Sequence, residues 1–488
     1  MKTSRFYTPG VALDRRGFLT KVGQGVGLAT LASVYADAQV PTPTNVRITP
    51  GTPYVPPPSS GVPVLKPSDF RYLGAMRIPD AGYPSDEDPT YSYAPLAARK
   101  VNGVLQFFMT GTNVKGDRVF EFVDTQSYDP DYKQAPRARM ATFWGDIYKG
   151  KRISWQPDGT QTNLQYLYTR GLLWHNNRLY WTYFDGYNVA NHDDWCIGMT
   201  DLRSDPSQMN AFGPWRPTTS GPGPGVKHAG WWLVEMPDGT LGAGSSPISG
   251  NAASSWGPEL VAGSSFPTDG TPAGFGKPNL VFPQTYVRYK VMQGLNLDGT
   301  LAAGQEIVAA RRSGNYVFHN TNPSVGYAQP PTEVDPVKNG GVGTFTQVDG
   351  VTSCVYIDLP DKAGILFVGA EGTGHVWYGS SADCGHGLRN PCGGGQGPNA
   401  SGHAQKWWIY DPNECRRVVA QQIQPWQARA ASSFDPTTSI APLKLGCQAL
   451  PGGVYFDRST RQLYVAAVQA DDSVPGLQMP LIHVFKIN

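Results

Sequence analysis

One pattern recurs from Phe70 onward and limits what this chain can fold into. A short apolar strand is followed by a tight turn, then by a second strand rich in aromatic and β-branched residues. The copies are Ala94–Ala98 with Val104–Phe108, Gly171–Trp174 with Arg178–Tyr183, and Gly230–Val234 with Thr240–Ala243. Two more are Cys354–Ile357 with Ile365–Val368, and Gly453–Phe456 with Gln462–Val465. The turns are Val101-Asn102-Gly103, His175-Asn176-Asn177, Pro237-Asp238-Gly239, Asp361–Gly364 and Asp457–Thr460. Asn-Gly and Asp-Gly tolerate the positive φ angles that tight hairpins demand. Long helical periodicity is almost absent. An isolated hairpin is marginal in water, so repeated hairpins must bury their faces against one another. Repeats of this size predict an all-β protein, a β-propeller of six or seven blades. The copies are unevenly spaced, as a unit of roughly 60 residues with degenerate copies would be, one of them falling near Leu280–Ala310. A β-sandwich with appended loops is the competing architecture.

The ends of the pattern support a closed ring. Phe70–Ile78 and Leu481–Ile487 both read as strands. Pairing the first beside the last would close the propeller and remove an exposed edge. Residues 68–488 are therefore expected to form a single domain.

Four blocks carry a resemblance. They are Leu73–Pro79, Gly369–Gly379, Trp407–Pro412 and Gly453–Asp457. Through them the chain resembles uncharacterised exported bacterial proteins with propeller-like repeats, over most of residues 70–488. The resemblance implies the fold and lends no catalytic residue.

Asp14-Arg15-Arg16-Gly17-Phe18-Leu19-Thr20-Lys21 precedes an uncharged apolar run, Val22–Tyr35, and then Ala36-Asp37-Ala38. A twin arginine, an apolar stretch and a small-x-small site read as a twin-arginine export signal over residues 1–38. The run is shorter than the ~20 residues a spanning helix needs. The expected location is periplasmic or secreted, with no stable membrane insertion once the signal is removed. Residues 39–67 are rich in proline and read as an extended linker.

The formal charge is +2 and falls close to zero without the signal. No basic run remains, so nucleic acid is not an expected partner. Six cysteines in an oxidising compartment read as a disulfide framework. The favoured pairing is Cys384–Cys392, across a Gly-rich loop, with Cys415–Cys447 second.

Propeller ligands are expected at the channel mouth, so polar residues beside the repeated inner strands are the candidates. Asp185 follows the second hairpin, near His192, Asp193 and Asp194. His228 precedes the third, with Lys227, Trp231 and Trp232. Arg312 lies with Arg311 and His319. Glu371 and His375 form an acid–base candidate in a stretch that continues through Asp383, Cys384, His386, Cys392 and His403. No common zinc spacing occurs there, and the metal and cofactor content is not specified by any motif. Closely spaced acids such as Asp185 suit turn chemistry as well as catalysis. Nucleophile-elbow, zincin, haem and dinucleotide motifs are absent.

The chain has 13 Trp and 24 Tyr. Most are expected to pack between blades, but aromatics around a mouth would stack on sugar rings. The leading reading is an exported propeller that binds or acts on a carbohydrate, a polysaccharide or small-molecule ligand at the channel mouth. As a hydrolase it would use Asp185 and Glu371 as the carboxylate pair, with His228 and Arg312 positioning substrate. The alternatives are a non-catalytic interaction scaffold and a cofactor-dependent periplasmic oxidoreductase.

Overall fold

The structure is a computed structural model. It describes residues 62–84, 87–111, 118–151, 167–185, 197–203, 205–215, 230–237, 240, 248–250, 256–263, 284–290, 318–320, 350–379, 389–392, 397–419, 422, 430–447, 449–473 and 478–488. Residues 1–61, where an export signal and most of a Pro-rich linker are expected, lie outside these residues, as do Cys196 and Cys384.

The described strands form five sheets. Phe70–Arg77 (β1) joins the last of them. The first sheet is a meander of Ala97–Val101 (β2), Val104–Thr110 (β3), Val119–Val123 (β4) and Arg139–Gly145 (β5). The second repeats that order with Leu167–His175 (β6), Arg178–Asp185 (β7), Ile197–Asp201 (β8) and Asn210–Trp215 (β9). The third holds Trp232–Val234 (β10), Ile248–Gly250 (β11), Trp256–Gly263 (β12) and Gln284–Lys290 (β13). The fourth contains Phe318–Asn320 (β14), Gly350–Asp358 (β15), Ala363–Gly379 (β16), Gly397–Tyr410 (β17) and Ala430–Phe434 (β18). The fifth holds Pro451–Asp457 (β19), Gln462–Asp471 (β20) and Met479–Ile487 (β21), with β1 as its outer strand.

Four of the repeated sequence hairpins become the innermost hairpin of a sheet: β2–β3, β6–β7, β15–β16 and β19–β20. In the third copy the second strand, Thr240–Ala243, lies outside the described residues except for Thr240, and β10 pairs with β11, Trp232 standing opposite Gly250.

The inner strands β2, β6, β10, β15 and β19 each touch the next, and β19 touches β2. The arrangement is propeller-like, and the ring closes with five inner strands rather than six or seven. β10 and β15, on either side of the long interval between the third and fourth copies, are in direct contact. Closure occurs as the end strands predict: Phe70 pairs with Ile487 and Arg77 with Leu481, antiparallel.

Aromatic and aliphatic strand residues fill the spaces between neighbouring sheets. Phe107, Phe122, Tyr464 and Val484 pack between the first and fifth. Phe108, Trp181 and Tyr183 pack between the first and second. Trp232, Phe367 and Trp408 join the third to the fourth. Val368, Trp407, Leu463 and Phe485 join the fourth to the fifth. Full burial of each such side chain contributes roughly 1.5–3 kcal/mol, and no sheet supplies both sides of its own core.

Cys392 is bonded to Cys447, which replaces both expected pairings. The bond ties the connection between β16 and β17 to the segment leading into β19. Cys415 lies instead on the helix Pro412–Val419 (α1), buried with Cys354 of β15 in one apolar cluster.

Candidate functional site

The inner strands define two rims, where they end and where they begin. At the hairpin rim, polar and charged residues link neighbouring sheets. Lys100 meets Asp457 at 3.1 Å, Arg458 meets Asp358 at 3.2 Å and His175 meets Glu235 at 3.2 Å. Arg461 pairs with Asp361 across the same joint as Arg458. Close by, buried Asp124 accepts from the hydroxyls of Tyr128 and Tyr464. Burial raises its pKa, partly offset by those bonds and by the Gln126 N–H. These groups pair with one another and form the joint between blades.

The start rim is built differently. Two close backbone approaches set it. A Cβ on Gly171 of β6 would lie 3.0 Å from Trp232 Cα and 3.1 Å from Leu233 N. A Cβ on Gly453 of β19 would lie 2.1 Å from Leu96 N. Glycine therefore lets the inner strands stand backbone against backbone, and it brings the residues just before them together.

The ladder between β6 and β7 shifts between Thr169 and Gly171, which leaves Arg170 at a bulge. The ladders of β15 and β19 shift at the same end, at Thr352 and at Gly452-Gly453. A bulge re-aims the side chain it carries. Thr352 turns its hydroxyl back onto Val368 O at 3.2 Å. Arg170 places its guanidinium carbon 3.4 Å from the centroid of Tyr93 and 4.9 Å from that of Trp231. Tyr93 in turn meets Tyr168 edge-on, with centroids 5.3 Å apart. Tyr93 precedes β2, Tyr168 and Arg170 lie on β6, and Trp231 precedes β10, so three successive blades contribute. Tyr93, Arg170 and Trp231 are half-buried, unlike Trp181, Trp232, Trp407 and Trp408, which are fully enclosed.

The expected site residues fall as follows. Asp185 ends β7 opposite Leu167, so its backbone is at the start rim of the second sheet. Glu371 stands opposite Ala404, one step beyond the Gly350–Ala370 pair, at the start rim of the fourth. Its carboxylate is 3.6 Å from Lys406 Nζ. His375 lies farther along β16, where that ladder is irregular. His228 and Arg312 lie outside the described residues, as do His192, Asp193, Asp194, Lys227, Arg311, Asp383 and His386. His403, on β17, donates from Nε2 to Asn390 Oδ1 at 3.1 Å, and burial lowers its pKa. Among the described residues, no three His, Cys, Asp or Glu side chains come together as a metal site.

Sequence reasoning singled out Trp231 but missed Tyr93, Tyr168 and Arg170. The signal was present: Arg170 directly precedes Gly171, and Tyr93 directly precedes Ala94, the first residues of two repeats. In these two repeats the residue before the repeated strand is the rim position.

No protein-family model matches the sequence, and no curated protein matches it. Solved structures give distant likenesses. A candidate glycoside hydrolase from Parabacteroides distasonis aligns over 86% of this chain and 98% of its own, at 12% identity and TM-score 0.33. The GH43 endo-arabinanase of Bacillus licheniformis aligns over 82% of this chain and 94% of its own, at 13% identity and TM-score 0.28. A GH43_1 enzyme from Xanthomonas citri, complexed with xylose, aligns over 82% and 89%, at 9% identity and TM-score 0.31. The functional reading rests on this protein's own residues, since likenesses at these scores define neither site nor substrate.

Proposed function

We propose that this protein is an exported propeller that binds a carbohydrate at the start rim, where Tyr93, Tyr168, Arg170 and Trp231 converge. The supporting observation is the half-buried aromatic cluster built around one arginine. Apolar ring faces match the C–H faces of sugars. Binding sites of this kind combine a mostly apolar lining with few, placed polar groups. Export follows the reading of the twin-arginine signal, and the Cys392–Cys447 bond suits an oxidising compartment.

If the bound sugar is also cleaved, Asp185 and Glu371 are the carboxylates that would act, one as acid and one as base or nucleophile. That chemistry requires them about 5–9 Å apart across the bond. His228, Arg312 and His375 would position substrate or share a proton.

The test is calorimetric titration of the full chain with neutral and acidic oligosaccharides. Trp231→Ala and Tyr93→Ala should each weaken binding at least tenfold. Asp185→Asn and Glu371→Gln should keep binding and abolish any turnover. Unchanged affinity in both aromatic variants would remove the rim from consideration.

A further inference from the structure

We infer that the ribbon formed by Glu371–Gly379 of β16 and Gly397–Ala404 of β17 is the second wall of the start-rim site, latched in place by the Cys392–Cys447 bond. This rests on the carbohydrate reading above and adds a wall and a redox latch to that same site.

The inference comes from where β15 stops and β16 does not. β15 begins at Gly350, opposite Ala370, and that pair marks the start rim of the fourth blade. β16 runs on through Glu371–Gly379, paired with β17 as far as Gly397. Such a length is roughly 30 Å of strand beyond the rim. There β14 takes the edge that β15 has left, with Phe318 opposite Val376. The projection is therefore three-stranded rather than a bare hairpin, which is marginal in water. Its ladder shifts between Thr373 and Val376, and an irregularity of that kind bends a strand.

The ribbon is tied down at a second point. Asn390, in the connection after β16, accepts at Oδ1 from the Cys392 N–H at 2.9 Å and from His403 Nε2 at 3.1 Å. His403 stands opposite Gly372, just past the rim pair. This part of the connection thus lies back at the root of the ribbon, and there Cys392 is bonded to Cys447. Cys447 sits between Gly446 and Ala449, which share a backbone bond of 3.2 Å, just before β19. The Gly453 N–H of β19 donates to Ala94 O at 2.7 Å, directly after Tyr93. The ribbon is rooted on the fourth blade and latched to the entrance of the fifth, while Tyr93, Tyr168, Arg170 and Trp231 come from the first three. Together the two sets take in all five blades around one channel mouth. Without the bond the ribbon is fixed at its root alone, and an element held at one end opens locally at low cost. A dithiol opens the latch by exchange: the S–S bond breaks, Cys392 and Cys447 become thiols, and the dithiol's two sulfurs join as its disulfide.

The experiment compares the oxidised full chain with Cys392→Ser/Cys447→Ser. It uses hydrogen exchange, and calorimetry with xylohexaose and hexagalacturonate, a neutral and an acidic chain. Amides of Glu371–Gly379 and Gly397–Ala404 should exchange at least tenfold faster in the variant, while β3 and β20 keep their rates. Whichever saccharide binds the unaltered protein should bind the variant at least tenfold more weakly, and dithiothreitol should bring the unaltered protein to the same affinity. Unchanged exchange in the ribbon overturns the latch, whether or not a saccharide binds. Faster exchange in β3 and β20 as well would mean that the bond holds the propeller itself, which also overturns it. Faster ribbon exchange with unchanged affinity overturns the wall and leaves the carbohydrate reading intact. Binding of neither saccharide to the unaltered protein overturns both.

Discussion

His483 shows how a single buried residue sets the response of the molecule to acid. It lies on β21, almost fully enclosed, with Nδ1 2.9 Å from the Tyr72 hydroxyl. The Lys444 backbone bonds it from the preceding segment, and Ala75 and Val465 are its cross-strand neighbours. Burial lowers its pKa to about 4, opposed only by that backbone bond. Between that value and the usual ~6.5, the unfolded chain holds a proton that the folded chain lacks. Stability from this group is then fully present above about pH 6.5 and is lost as pH falls toward 4. The full effect is of the order of 3 kcal/mol, at 1.36 kcal/mol per pKa unit. Asp124 acts in the opposite sense, because its raised pKa makes the folded state the better proton holder. The His483 contribution is isolated by comparing urea midpoints of the unaltered protein and His483→Gln at pH 7.5 and 5. The loss of stability on acidification should be smaller in the variant. An equal loss would mean that His483 is not the buried neutral base the geometry requires.

At the scale of strands, the ring is held together by how closely inner strands approach. Gly453 has the tightest approach, to backbone rather than to a side chain that can move. Gly453→Ala should therefore cost about 3 kcal/mol or more, beyond the usual penalty for overpacking. Gly350 begins β15, and a Cβ there would meet nothing within 4 Å, so Gly350→Ala should change stability by less than about 0.5 kcal/mol. Chemical denaturation of the two variants checks the ranking, and similar costs would show that the β19–β2 approach is loose. The same glycines explain what was legible in the sequence. Gly171, Gly230 and Gly453 each open a repeat, so the inner hairpins could be recognised from local pattern and turn chemistry. The bulge at Arg170 could not, because a bulge is a relation between two strands and leaves no mark in either alone. The β10 pairing with Ile248–Gly250 left no mark in the sequence for a similar reason.

The whole molecule is sealed by its ends, and two kinds of contact cross the joint between the fourth and fifth blades. The apolar ends Phe70–Ile78 and Leu481–Ile487 made this closure readable in advance, whereas the number of blades depended on which strands touch across long intervals. The first kind of contact is the strap before β1. Leu65 N donates to Ala363 O and Ala363 N to Pro63 O, each at 3.0 Å. Leu65 is 1% exposed and shares a cluster with Trp407 of the fourth blade and Phe485 and Ile487 of the fifth. Lys362 and Asp69 add an ion pair at 2.8 Å. The second kind is the exposed pair Arg461–Asp361 at the hairpin rim. Burial should outweigh charge. Removing a buried leucine side chain costs about 2–5 kcal/mol, through lost transfer energy and the cavity left behind. An exposed ion pair is screened and contributes about 1 kcal/mol or less. Leu65→Ala should thus lower the urea midpoint far more than Arg461→Met. Removal of residues 1–66 should reproduce the Leu65→Ala loss or exceed it. If Arg461→Met proved the more damaging, the joint would be held by charge at the rim, and the strap would be only a tether.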